Sequence, residues 1–93
     1  MVVGISTIEL EICDSNSLKD RRQVLQSLVT RLGNQFNISV AQLDTHDLWN
    51  RATLGIACVS NDARHTDRIL NRVLELIDRD PRVVVLACER EMV

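Results

Sequence analysis

The sequence is short of aromatic residues, proline, glycine and long apolar runs, and these shortages exclude several classes of protein. Only 2% of its 93 residues are aromatic, and it contains one Pro and three Gly. No low-complexity tract, linker or internal repeat is present. Its longest apolar runs, such as residues 83–88, fall far below the roughly 20 residues that a membrane-spanning helix needs. The amino terminus lacks the basic region and the small-residue cleavage site of a signal peptide, so we expect neither a leader nor a membrane span.

Cysteine and excess positive charge are also scarce. Cys13, Cys58 and Cys88 include no C-x-x-C pair, and so sparse and odd a set indicates neither a disulfide framework nor a zinc site. We therefore predict buried or half-buried thiols in a reducing cytoplasm. Lys plus Arg total 11 against 13 for Asp plus Glu, a formal charge of −2. That balance excludes a strongly basic, histone-like nucleic-acid binder but leaves room for a local basic patch.

Hydrophobic periodicity predicts six elements in one domain that spans residues 1–93. The predicted strands cover residues 2–13, 37–44, 53–60 and 83–90, and the predicted helices cover 18–36 and about 61–79. Ser17 with Asp20 resembles a capping box for the first helix, and Ser60 or Asn61 is expected to cap the second. Three local irregularities are also predicted: a bulge near residues 6–7, a helix stop at residues 33–34, and a stop at residues 80–81.

The order β-α-β-β-α-β leaves few topologies, because crossover connections are right-handed. The usual solution is the ferredoxin-like α+β fold. We therefore predict an antiparallel four-stranded sheet in strand order 4-1-3-2, with both helices on one face.

This topology would bring the start of the first helix, the loop at residues 45–52 and the turn at residues 79–82 to one edge of the molecule. The cations Lys19, Arg21 and Arg22 occupy the first turns of the helix, where the backbone dipole favours anions instead. They either pair internally with the nearby Asp residues or leave a site for an anion or for RNA phosphate. The candidate internal partners are Asp14, Asp20, Asp44 and Asp47. The candidate residues for binding an anion or RNA are Lys19, Arg21, Arg22, His46, Trp49 and Arg51.

Two further surfaces are visible in the pattern. Arg64, Arg68 and Arg72 recur every four residues on the second helix, and we interpret them as a solvated face diluted by neighbouring acidic residues. The sheet face without helices is expected to carry the small or apolar Thr53, Gly55, Ala57 and Val59 of the third strand, Glu9 and Glu11 of the first strand, and no aromatic on its central strands. RNA-recognition domains of this topology stack bases on such aromatics, so that mode of binding is not expected. A homodimer through this uncovered face is the alternative that it suggests.

Catalytic signatures are missing from the sequence. It contains no P-loop, G-x-G-x-x-G, G-x-S-x-G or H-E-x-x-H motif. Acylphosphatases share the element order but place an arginine in a glycine-rich first loop, and residues 13–17 contain neither Gly nor Arg. We predict a non-enzymatic protein with no catalytic residue, no metal site and no cofactor.

Two segments together resemble the YlxP family of small bacterial proteins of unknown function. They are Ser17-Leu-Lys-Asp-Arg-Arg22 and Asp47-Leu-Trp-Asn-Arg-Ala-Thr-Leu-Gly-Ile-Ala-Cys-Val-Ser-Asn-Asp62, and the resemblance covers nearly the whole chain. It implies a ferredoxin-like fold and, because the family's genes often lie near those for ribosome-binding factor A and translation initiation factor 2, a role near ribosome maturation or translation. Asn50 stands where the family motif has glutamine. The family has no assigned catalytic residues to carry over.

The leading hypothesis is therefore a cytoplasmic accessory factor that contacts RNA or ribosomal particles through the basic edge by positioning phosphates. The alternatives are a dimeric scaffold or small-anion-binding module, and a small hydrolase.

Overall fold

The computed structural model describes residues 1–14, 16–43, 48 and 50–93, and it has the predicted order of elements. The bounds of the strands and helices are β1 Val2–Ile12, α1 Leu18–Gln35, β2 Ser39–Leu43, β3 Arg51–Ser60, α2 Ala63–Asp78 and β4 Val83–Met92. The strands form one sheet in the order β2-β3-β1-β4, and all three pairings are antiparallel. This is the predicted order 4-1-3-2 read from the other edge, so the ferredoxin-like prediction is confirmed.

The hydrophobic core lies between the sheet and the two helices. Even-numbered residues from Gly4 to Ile12 in β1 and from Ala52 to Cys58 in β3 face the helices and are buried, because side chains alternate between the two faces of a strand. They pack against the apolar stripes of α1 and α2. The core residues with at most 2% exposure are Ile8, Leu10, Ile12, Leu25, Leu28, Leu32, Ala52, Leu54, Ile56, Cys58, Leu70, Val73 and Ile77.

The helix starts follow capping chemistry. The Ser17 hydroxyl accepts a hydrogen bond from the Asp20 amide at 3.2 Å, and the Asp20 carboxylate accepts one from the Asn16 amide at 3.2 Å. Because amides at a helix start lack partners within the helix, these bonds stabilise the first turn of α1. The cap of α2 is Asp62, whose carboxylate accepts from the Arg64 amide at 2.8 Å, so the prediction of Ser60 or Asn61 was wrong.

Three other local predictions were wrong. The register between β1 and β3 is continuous from Val2 to Glu11, so there is no bulge at residues 6–7. The shift occurs instead between β1 and β4, where Leu86 has no partner in the register. Helix α1 runs through Gly33, which does not take the positive φ of a helix stop, and ends at Gln35 with Phe36 as its cap, next to the predicted end at residue 36. Cys88 is exposed rather than buried, since β4 is an edge strand and the helices leave it uncovered there.

Among the described residues, no helix is both long and apolar enough to cross a membrane.

Candidate nucleic-acid interface

The topology joins the start of α1 to the start of β3 at one edge of the sheet. The amide of Ile12 donates to the Asn50 carbonyl at 2.8 Å, and the Cys13 amide donates to the Arg82 carbonyl at 2.8 Å. The Arg21 guanidinium Nε donates to the Arg51 carbonyl at 3.0 Å. The described parts of the two polar segments therefore lie side by side, as the predicted topology requires.

Three cations follow the cap of α1, and we call Lys19, Arg21 and Arg22 the basic rim. Arg21 is half-buried against the sheet edge, whereas Lys19 and Arg22 are exposed. No ion pair joins any of them to a carboxylate within residues 1–14, 16–43, 48 and 50–93. Asp20, one of the candidate internal partners, accepts from a backbone amide instead. A helix start carries a partial positive charge, which adds to the charges of these three cations.

The backbone carbonyl of Arg51 contacts the rim at Arg21, but the Arg51 side chain points elsewhere. In the register it lies opposite Glu11, and it alternates onto the sheet face that the helices leave open, with Thr53 and Gly55. Its Nε is buried and has no hydrogen-bond partner among the described residues. The Arg51 side chain therefore lies on the open face of the sheet, whereas the three rim cations lie on the helix side.

The other predicted site residues, His46 and Trp49, lie outside the described residues, as do Asp44 and Asp47.

A buried carboxylate that the sequence patterns did not single out organises the neighbouring turn. Asp80 is 4% exposed and accepts from Arg82 through Nε at 2.9 Å, Nη2 at 2.7 Å and the backbone amide at 2.9 Å. It also accepts from Arg31 Nη1 at 3.1 Å. The side-chain hydrogen bonds from Arg82 lower the pKa of Asp80 to about 2, despite the opposing effect of burial. The same contact raises the pKa of Arg82.

This Asp80 cluster fastens the end of α2 to α1, since Arg82 Nη2 also donates to the Ser27 hydroxyl at 3.1 Å. It therefore engages Arg82 through Nε and Nη2, and Arg31 through Nη1, in pairing within the protein. The sequence contains a signal for this cluster, because acidic and basic residues alternate at 78–82. We interpreted that segment only as a helix stop.

Two hollows lie beside α1. A shallow one of about 650 Å³ is lined by Arg22 of the rim and by Arg31, with the neutral side chains of Gln23, Gln26, Ser27, Thr30 and Gln42. The other, of about 360 Å³, is lined by the acids Asp14 and Asp20 and by one cation, Arg82, which is already paired with Asp80. Lys19 and Arg21 line neither hollow.

The open face of the sheet carries small and apolar side chains along β2 and β3 and acidic ones along β1 and β4, where Glu9 and Glu11 lie as predicted and Glu89 and Glu91 add to them. Ile5, Ala41, Gly55 and Ala57 surround a shallow apolar hollow of about 290 Å³. Val59 beside it is 59% exposed. Neither β1 nor β3 contains an aromatic residue, so the two central strands offer no platform on which bases could stack.

In the part of the chain that the structure describes, no group of three or more His, Cys, Asp or Glu side chains is arranged to hold a metal ion.

Comparisons with solved structures place the same architecture in unrelated proteins. The chain is similar to a VAO-type flavoprotein from Myceliophthora thermophila C1, with 14% identity and a TM-score of 0.57 over 99% of this chain and 16% of that one. It is also similar to SnoaB, a cofactor-independent oxygenase from Streptomyces nogalater, with 10% identity and a TM-score of 0.51 over 99% of this chain and 90% of that one. The protein YJCS matches with 9% identity and a TM-score of 0.56 over 96% of both chains. Identities this low establish a shared fold and nothing about activity.

Comparisons of sequence are more specific. The profile of the family described as "Protein of unknown function (DUF503)" matches residues 3–90. The uncharacterized protein YlxP of Bacillus subtilis (strain 168) is 39% identical over 82 residues, which cover 88% of this chain and 89% of that protein. The resemblance that the two polar segments predicted is thereby confirmed, and the chain belongs to the DUF503 family of proteins of unknown function.

Proposed function

We propose that this protein is a non-enzymatic accessory factor that contacts the phosphates of RNA, alone or in a ribonucleoprotein, through its basic rim. The observation that carries the proposal is the rim itself: adjacent cations at a helix start, none of them paired with a described carboxylate. Phosphate contacts need cations on open surface and no base-reading pocket. Lys19 and Arg22 meet this requirement, because both are exposed.

Two features favour RNA over a small metabolite. A metabolite site is normally an enclosed hollow with converging polar groups. The hollow that Arg22 lines is instead shallow and open, and the other hollow beside α1 is lined by two carboxylates and by an arginine already paired with Asp80. A polyanion needs only the outer surface, so it can bind the rim without entering either hollow.

The test is the salt dependence of RNA affinity, measured by fluorescence anisotropy of a short labelled single-stranded RNA. Each phosphate contact contributes about −0.7 to the slope of log K against log salt for a single strand. The double variant Lys19→Gln/Arg22→Gln is therefore expected to make the slope shallower by about 1.4 and to weaken binding throughout the range of about 50 to 200 mM salt. These two positions are chosen because Arg21 also supports the fold by donating to Arg51.

The matched control exchanges the two cations, as Lys19→Arg/Arg22→Lys, and is expected to keep the wild-type slope because the charge is unchanged. Circular dichroism on heating checks that both variants fold like the wild type. Binding that does not depend on salt, or an unchanged slope in the double variant, would contradict a role for the rim in binding phosphate.

A second candidate is a homodimer that forms through the open face of the sheet. The observation that favours it is an apolar patch: Ile5, Gly55 and Ala57 line a shallow hollow, Val59 is 59% exposed, and a twofold axis through this patch would bury it against the same patch of a second copy. This face and the basic rim are separate surfaces, so the dimer is compatible with RNA contact.

If this face joins two copies, Ala57→Glu will shift the protein to monomer in sedimentation-velocity runs, since it puts a charge in the hollow. Gln35→Glu, on exposed α1, adds the same charge elsewhere and is expected to leave the association state unchanged. A wild-type protein that sediments as a monomer at high micromolar concentration removes this candidate.

A further inference from the structure

Helix α2 carries opposite charges on its two flanks. Arg64, Arg68 and Arg72 are exposed on one flank, and Arg79 at the carboxyl-terminal cap continues their line at helical spacing. We call these four residues the arginine row. At a rise of 1.5 Å per residue the row extends over about 22 Å, with about 6 Å between successive members of its first part. The other flank carries Asp67 and Asn71.

The acidic flank does not neutralise the arginine row, because another cation occupies it. Arg90 of β4 donates from Nη1 to Asp67 Oδ1 and to Asn71 Oδ1, each at 2.7 Å. Asp67 therefore pairs towards β4, away from the row. The sequence alone suggested that Asp67 and Asn71 dilute the basic field, and the fold removes that effect.

The acid on the row's own flank is Glu75, and its contact is weak. It lies 4.0 Å from Arg79, and both side chains are mostly exposed, at 62% and 81%. Exposed pairs at this distance contribute little, since solvent screens them. No described carboxylate forms an ion pair with Arg64, Arg68 or Arg72.

The carboxyl-terminal end of the arginine row borders a groove between the two helices. The groove has a volume of about 370 Å³, and its lining includes Arg72 and Arg79 from α2 and Arg31 from α1. Arg31 donates to Asp80 through one nitrogen, at 3.1 Å, and its side chain remains 44% exposed. Cations of two helices thus face one channel at the end of the row.

We propose that the arginine row and this groove form a second phosphate-contact surface for RNA, on the helix side of the molecule. The proposal rests on the proposed function only in taking RNA as the partner, since it uses residues outside the basic rim. Guanidinium groups match phosphate because their donors form a planar fork that binds two oxygens at once.

Other polyanionic partners fit this surface less well. Helices that lie on a membrane insert an apolar face, and the apolar stripe of α2 is buried in the core at Leu70, Val73 and Ile77. Protein interfaces depend on apolar or aromatic anchors, and the arginine row lies among polar side chains, since Phe36 and Leu76 line only the groove at its end. A line of arginines without such anchors is typical of backbone contact with nucleic acid.

The test compares four proteins with the labelled single-stranded RNA: wild type, Lys19→Gln/Arg22→Gln, Arg64→Gln/Arg68→Gln/Arg72→Gln, and all five changes together. Removing three row contacts is expected to make the slope shallower by about 2 and to weaken binding about tenfold or more. The variant with all five changes is expected to lose the contributions of both surfaces to the slope. The charge-matched control is Ser39→Asp/Ala41→Asp/Ala87→Asp, three exposed positions on the open face of the sheet and away from both surfaces, which is expected to keep the wild-type slope.

The outcomes separate the two proposals. If the row variant keeps the wild-type slope and the rim variant has a shallower one, the proposal for the arginine row is overturned and the proposal for the rim is supported. The reverse pattern supports the row and overturns the rim, and a wild-type protein that binds no RNA overturns both. Labelled polyglutamate that binds the wild type as tightly as RNA, and loses affinity in the row variant, would assign the surface to an acidic protein and overturn the RNA assignment.

Discussion

Replacing Asp80 with asparagine is expected to destabilise the protein by about 2 kcal/mol at pH 7, because the native carboxylate accepts charge-assisted hydrogen bonds from two arginines. The pKa of Asp80 in the folded protein is about 2, below its ordinary value of 3.8. A lowered pKa stabilises the folded state above the unfolded pKa, and this contribution disappears as pH falls from about 4 to about 2. The difference in unfolding free energy between wild type and Asp80→Asn should therefore be full at neutral pH and small near pH 2.

Urea unfolding followed by circular dichroism at a series of pH values measures this difference. Asp78→Asn, two residues away and exposed on α2, is the matched control and is expected to change stability by less than about 0.5 kcal/mol. An Asp80→Asn deficit that is the same at pH 7 and near pH 2 would show that the carboxylate charge does not stabilise the turn.

Substituting alanine for Gly4 is expected to destabilise the protein by about 1 to 3 kcal/mol, the usual cost of overpacking a core. A Cβ at this position of β1 would overlap the Thr66 methyl group and lie 2.9 Å from Leu70 Cδ1. Thr66 has little room to move, since it is fully buried and its hydroxyl lies 2.6 Å from that of Ser60. The melting temperature should fall by roughly 4 to 8 °C for each kcal/mol lost in a domain of this size.

The same substitution at Gly33 is the matched control, with an expected effect of opposite sign. Gly33 lies within α1, and nothing within 4 Å would meet an added Cβ. Alanine there should stabilise the protein by roughly 0.5 to 1 kcal/mol, because it lowers the entropy that the helix loses on folding. Equal melting temperatures for the two variants would contradict the close approach of α2 to β1.

Most of the fold was predictable from periodicity alone. Alternation along β1 and β3 and the apolar stripes of the two helices are local patterns. The elements that they predict are present in the structure, and their ends lie within a few residues of the predicted ones. The errors fall where a local pattern had two explanations. Val3 and Ile5 suggested a bulge because they are apolar, whereas Glu9 and Glu11 on the same face of β1 are charged. In the structure both face the open side of the sheet, where they lie opposite Val59 and Ala57 of β3.

The candidate site was predictable only in part. The segments that meet at the sheet edge follow from strand order, so the contact between Arg21 and Arg51 could be anticipated. The direction of the Arg51 side chain could not, because it depends on where β3 begins: the strand starts at Arg51 rather than at Thr53, and pairing opposite Glu11 places Arg51 on the open face.

The sequence by itself determined the order and type of the elements, the side of each strand that is apolar, and the family. Only the tertiary structure decided which charges remain available for a partner. Asp80 is paired with an arginine 49 positions away, and Asp67 with one 23 positions away. Periodicity depends on neighbours two to four residues apart, whereas the partner of a charged side chain depends on which distant segments the sheet and helices bring within hydrogen-bond distance.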